Sequence, residues 1–152
     1  SLLEAGALLA NVGLVISHAK HHKHSYYLIR NSDRLVGFTD QEIELVAQIA
    51  RYHRKSAPKP SHPEWAALDH DDQRLVEVAA AVLRVAIGLD RSHRQLVSGV
   101  RVTERKGDLV IGVDVDDPDA DLSLELYAAD ERRGLLADVL DLPVVIAPPV
   151  DA

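Results

Sequence analysis

The chain has 152 residues, 47% hydrophobic and 27% charged, a balance that suits a globular protein with its own core and excludes a disordered one. It holds no cysteine, which excludes disulfides and thiolate metal sites, and its net charge of −7 argues against general nucleic-acid binding; no specific nucleic-acid partner is expected. The charge is uneven: residues 18–62 carry eight Lys/Arg against four Asp/Glu, together with six of the eight histidines, so a localised anion site on an acidic body is expected.

No methionine is present, and the chain opens inside an apolar helical pattern, so further chain is expected to precede Ser1. Residues 2–16, LLEAGALLANVGLVI, are too short to span a bilayer and are interrupted by Glu4 and Asn11. No signal peptide is read; a cytoplasmic location and no membrane partner are expected. The spacing of Leu2, Ala5, Leu9, Val12 and Ile16 predicts one helix, apolar almost all round and buried on several sides. Asn11 would then need buried partners.

The stretch HAKHHKHSYYLIRN, residues 18–31, dominates the chain: His18, His21, His22 and His24 fall among Lys20 and Lys23. A helix is predicted from about His21 to Asn31. Thr39-Asp40-Gln41-Glu42 reads as a capping box that starts a helix with Ile43, Val46, Ala47 and Ala50 on its core stripe. His53 extends that stripe and should point inward, whereas Arg54 and Lys55 should emerge at the helix end. The proline-rich residues 56–70 form a long loop with Trp65 as its anchor. Asp71 or Asp72 caps the next helix, whose apolar stripe runs from Leu75 to Leu89, with Asp90 at its end.

From about Val100 the period changes to two. Val100 and Val102, a Lys106-Gly107-Asp108 turn, and Leu109, Ile111, Val113 and Val115 predict a β-hairpin. Leu122, Leu124 and Leu126 predict a third strand, Asp130 to Leu142 a helix, and Val144 to Ala147 a short last strand. The acidic residues 114–121 fit no calcium-loop spacing and read as a solvated connection.

Histidines and acids on successive buried helices are the raw material of metal phosphohydrolase sites. ALLANVGL (7–14), HHKHSYYLI (21–29), RYHRK (51–55) and RVAIGLDRSHRQ (84–95) follow in the order of such an HD-type layout. Through residues 2–98 the chain resembles the C-terminal half of the Ppx/GppA family, the exopolyphosphatases and guanosine pentaphosphate phosphohydrolases. The resemblance implies a mainly α fold: an HD-domain-like helical bundle over residues 1–98, then a small α+β unit (hairpin, strand, helix, short strand) over 99–152. It also implies that the actin-like module that releases phosphate, with its Mg²⁺, lies outside this chain, which would hold no catalytic residue and no cofactor.

Where an HD pair belongs, this chain has Ala10 and Asn11. His24 (or His22), His53 and Asp90 remain, too poor a set for a catalytic divalent metal, so no metal is expected at this degenerate site. A vestigial arrangement, with Asn11, His53 and Asp90 bonded to one another, is expected instead. Clustered cations would release the counterions of a polyanion, and the candidates are Lys20, His22, Lys23, Arg51, Arg54, Lys55 and Lys59. The expected partners are polyphosphate or (p)ppGpp and a second subunit in a homodimer. Two other readings stand beside this one: a stand-alone HD-type metal-dependent phosphohydrolase, and a purely structural dimerisation module.

Overall fold

A computed structural model describes residues 1–149. Contacts divide the chain into two compact units, Ser1–Leu83 and Arg84 onward. The fold is mainly α with a small α+β part, as the sequence predicts.

The first unit opens with α1 (Leu2–Leu9), capped by Ser1 and Glu4 in a reciprocal box. α1 stops at Ala10, and a 3-10 turn follows at Val12–Val15, so the single helix predicted over residues 2–16 is broken at Asn11. The break has a local cause. Ser25 Oγ donates to the Ala10 carbonyl at 2.7 Å and accepts from the Gly13 amide at 2.9 Å, replacing helical bonds with a bridge to the next helix. Expected burial fails here too: Leu8 is 84% and Val15 81% exposed, and Asn11 is exposed.

The helix that Ser25 belongs to is α2 (His21–Arg30), and α3 (Asp40–Tyr52) packs against it. The predicted capping box starts α3: Thr39 Oγ1 accepts from the Glu42 amide, and Glu42 accepts from the Thr39 amide at 2.7 Å. Arg30, in the last turn of α2, holds Asp40 at 2.9 Å and Glu44 at 2.7 Å, fixing the two helices side by side. Between them lies a core of Ile29, Val46, Ala47 and Ala50, against which Leu2, Ala5 and Leu9 of α1 pack. Gly6 permits this approach, because a Cβ there would meet Ile49 Cγ2 at 2.6 Å.

The proline-rich loop contains one short helical turn, α4 (Pro63–Ala66), and half-buried Trp65 lies within it. α5 (His70–Leu89) follows, and the division between the two units falls within it. Its start is held by Asp69, whose carboxylate accepts from the Asp72 amide at 2.9 Å; Asp71 and Asp72, the caps expected, lie inside the first turn.

In the second unit β1 (Gly99–Arg105) and β2 (Asp108–Asp114) form the predicted antiparallel hairpin. Its two-residue turn, Lys106-Gly107, has φ of 55° and 88°, the left-handed pair that suits strand twist. β3 (Val144–Ala147) pairs parallel with β2, giving the order β1-β2-β3. A parallel return needs a crossover, supplied by α6 (Ser123–Asp130) and α7 (Gly134–Leu140).

The third strand predicted from Leu122, Leu124 and Leu126 is therefore wrong, since those residues enter and form α6. Leu124 is exposed, whereas Leu122, Glu125, Ala128 and Ala129 are buried, a spacing of three and four. The alternating leucines mask a helical stripe completed by a carboxylate and two alanines. The single helix predicted from Asp130 to Leu142 begins instead at Gly134, after a turn at residues 131–133.

Candidate functional site

The first turn of α2 and the end of α3 meet at a cluster of imidazoles and one guanidinium. The burial pattern of α2 explains why. His21, Ser25 and Ile29 recur at four-residue spacing and face inward with His22, so the stripe that packs on α3 carries histidine at its N-terminal end. His53 continues the buried face of α3, as the sequence implies, and its ring centroid lies 5.4 Å from that of His21. His21 and His22 meet edge to face at 6.2 Å.

Arg54 closes the cluster, with Nη1 3.2 Å from His21 Nδ1. The same Nδ1 lies 3.3 Å from the His18 carbonyl oxygen. A guanidinium only donates. If Arg54 bonds to Nδ1, the ring proton is on Nε2, a buried nitrogen without a partner. If Nδ1 donates to His18, the Arg54 donor is left facing an N–H. His22 Nδ1 is buried and partnerless as well. Neither tautomer balances the site internally.

Burial holds the His21 imidazole below its ordinary range, with Arg54, His18 and His24 adding to the effect and the bond to the His18 carbonyl opposing it. Burial also lowers His22, assisted by Arg54, His53, His21 and Lys23, to about 4. The charged groups acting most strongly on the two imidazoles are cations and other histidines. α2 has no acidic residue in its first turn and no side-chain cap, although its N-terminus would favour negative charge.

These shifts give a stability prediction with a fixed sign. The unfolded chain binds more protons than the folded one between the depressed and ordinary histidine values. Stability is therefore complete above about pH 6.5 and declines as pH falls towards about 4, by up to about 2–3 kcal/mol for His22. Urea midpoints at the two ends of this window measure the decline. His22→Asn should flatten it, and an equally steep decline in that variant would contradict the assignment.

The predicted anion ligands divide into two groups. Lys20, left-handed at φ 57°, and Lys23 are exposed at the start of α2, beside buried His22; Arg54 and Lys55 are exposed just beyond α3. Arg51 is engaged elsewhere. Its Nη1 pairs with Glu64 at 3.0 Å, and its guanidinium lies over the Tyr26 and Tyr52 rings at 5.5 and 5.3 Å. Lys59 acts on His62, which bonds to the Tyr52 hydroxyl at 2.8 Å. Burial lowers His62 first, then Arg51, Lys59 and Lys23, with Glu64 opposing. Lys23 thus acts on both His22 and His62. His21 and His62 escape the sequence reading; the four-residue spacing of His21, Ser25 and Ile29 is the signal that points to the first.

The residues do not suit a divalent metal. Ala10 offers no ligand, Asn11 is exposed without a side-chain bond, and the Arg54 charge beside the imidazoles opposes a cation. Among the described residues no group of three or more His, Asp or Glu side chains is placed to share an ion. Half-buried His24 is on α2, and Asp90, in the second unit, faces His93 at 3.5 Å. The Asn11 link expected in a vestigial core set is not formed.

A helical unit followed by a small three-stranded α+β part is the class of domain the fold defines, and comparison with known proteins identifies its family. Residues 1–118 match the family described as "Ppx/GppA phosphatase, domain III", and the chain belongs to the Ppx/GppA family. It is also 36% identical over 58 residues to a guanosine-5'-triphosphate,3'-diphosphate pyrophosphatase of Pseudoalteromonas translucida (strain TAC 125), a match covering 38% of this chain and 12% of that protein. The chain thus matches only a small part of that relative's length. Among the described residues no helix is long and apolar enough to cross a membrane.

Proposed function

We propose that this Ppx/GppA accessory domain binds the phosphate backbone of polyphosphate, or the phosphates of (p)ppGpp, through the cluster at the start of α2, and contributes to hydrolysis carried out elsewhere in the whole protein. One observation carries the reading: His21, His22, His53 and Arg54 converge with Lys20 and Lys23 nearby, and the charges acting most strongly on the buried histidines are cationic. Such groups supply charge-assisted hydrogen bonds to phosphate oxygens and displace its counterions. Lys59 acts together with Lys23 on His62, so cationic groups continue past the first turn of α2, which favours a ligand longer than one phosphate. The proposal includes self-association, supported by the exposed Leu8, Val15 and Ile16 of the α1 region, which leave apolar surface in water.

Lysine acetylation with and without long-chain polyphosphate tests the location. Lys20, Lys23 and Lys59 should be protected, whereas Lys106 on the hairpin turn should react as before. Protection of Lys106 alone, or of no lysine, would sink the assignment.

A further inference from the structure

We propose that anion binding at the α2 cluster is coupled to proton uptake: His22, with His21 beside it, passes from neutral to charged as a phosphate group arrives. This rests on the polyanion reading above and adds its regulation.

The geometry supplies the argument. His22 and His21 are at least nine-tenths buried, yet His22 Nδ1 and His21 Nε2 have no partner. Both belong to groups that gain a donor on protonation, in a cluster already rich in donors. From α2 itself the groups facing them are Lys23 and His24. From the end of α3 they are His53 and Arg54, and from the link before α2, His18. The 3-10 turn packed on α2 contributes Val12–Val15 and no titratable group.

Without an anion the cluster is positive from several directions, and neutral imidazoles are favoured. A phosphate on Arg54 and the first turn of α2 reverses the sign of the local potential. It removes the main charge that opposes protonation of His22 and offers an acceptor for the new proton. Linkage then acts both ways: an anion that makes the imidazoles easier to protonate binds more tightly where protons are plentiful. Because His22 starts near 4 and the ordinary histidine value is 6.5, the coupling operates between those limits. There, affinity should rise towards tenfold per pH unit, with nearly one proton taken up per site; above about pH 7.5 it should be flat.

The test uses long-chain polyphosphate, whose interior phosphates stay ionised across this range, so that any titration belongs to the protein. Histidine-resolved NMR titrations of the whole chain should show the His22 midpoint rising from about 4 by about 1.5 units or more when the polymer is bound. Calorimetry at about pH 5.5, in two buffers of different ionisation enthalpy, should return about 0.5–1 proton taken up per site. His22→Asn should bind with weaker pH dependence. The wild-type titration decides the matter even if that variant folds poorly. Binding with an unmoved His22 midpoint and no proton uptake would overturn the coupling and leave polyanion binding standing. No binding at any pH would overturn both.

Discussion

Gly13→Ala is expected to destabilise the first unit by about 3 kcal/mol or more. A Cβ at Gly13 would lie 2.1 Å from the His21 carbonyl oxygen, 2.4 Å from the Ser25 nitrogen and 2.8 Å from the His24 carbonyl carbon. All three are backbone atoms of α2, so no side chain can swing aside. Either the 3-10 turn lifts from α2, breaking the bridge through Ser25, or the first turn of α2 unwinds. Each route disturbs the segment that carries His21 and His22, so polyanion affinity should fall with stability. Urea unfolding followed by fluorescence of Trp65, the single tryptophan, reports on this unit. Gly134→Ala is the control: a Cβ there meets nothing within 4 Å at the start of α7, and stability should change by less than about 0.5 kcal/mol. Equal midpoints for Gly13→Ala and the parent would show that the close approach does not exist.

Arg54→Glu is expected to weaken polyphosphate binding by about 10- to 100-fold at low salt, with the fold intact. Hydrogen bonds to charged groups contribute about 1.5–3 kcal/mol, and reversal adds repulsion to the loss. Arg54 is exposed, and its one described bond is to His21, so stability should hardly change. Arg34→Glu makes the same change in net charge on an exposed residue of the connection after α2. It separates a local site from a general charge effect. Binding titrations that fell equally for the two variants would mean that the cluster has no special role.

Much of the architecture was legible because strong local signals agree with tertiary structure. The Thr39–Glu42 box, the Lys106-Gly107 turn and the alternation through Ile111 and Val113 each determine backbone directly. Three features were not legible, for identifiable reasons. Leu122, Leu124 and Leu126 alternate like a strand, but the buried stripe of α6 includes Glu125. That carboxylate is 1% exposed and accepts from the Ser92 amide at 3.0 Å, a long-range partner that no local pattern reveals. The break at Ala10 depends on Ser25, fifteen positions away. The Asp69 cap competed with two equally good acids, Asp71 and Asp72, just beyond His70.

The site was legible in part. The histidine run falls at the start of α2, where the candidate cluster lies, and the position of His53 on α3 follows from the core spacing of Val46 and Ala50. Arg51 shows the limit of reading charge without contacts. It sits one turn before Lys55 in the same basic stretch, yet Glu64, from the proline-rich loop, takes its charge. Composition counts Arg51 as a cation, and only the fold shows the carboxylate that pairs with it.

The most direct measurement is binding of long-chain polyphosphate to this chain across a salt series, with and without Mg²⁺ or Mn²⁺. Affinity should fall steeply with salt, with a log–log slope of about −2 to −4 if three to six phosphates are neutralised at about 0.7 each, and should not require metal. Binding or hydrolysis that appears only with added metal would contradict the polyanion reading and restore a metal phosphohydrolase. Undetectable binding at low salt would leave subunit contact as the role of the domain.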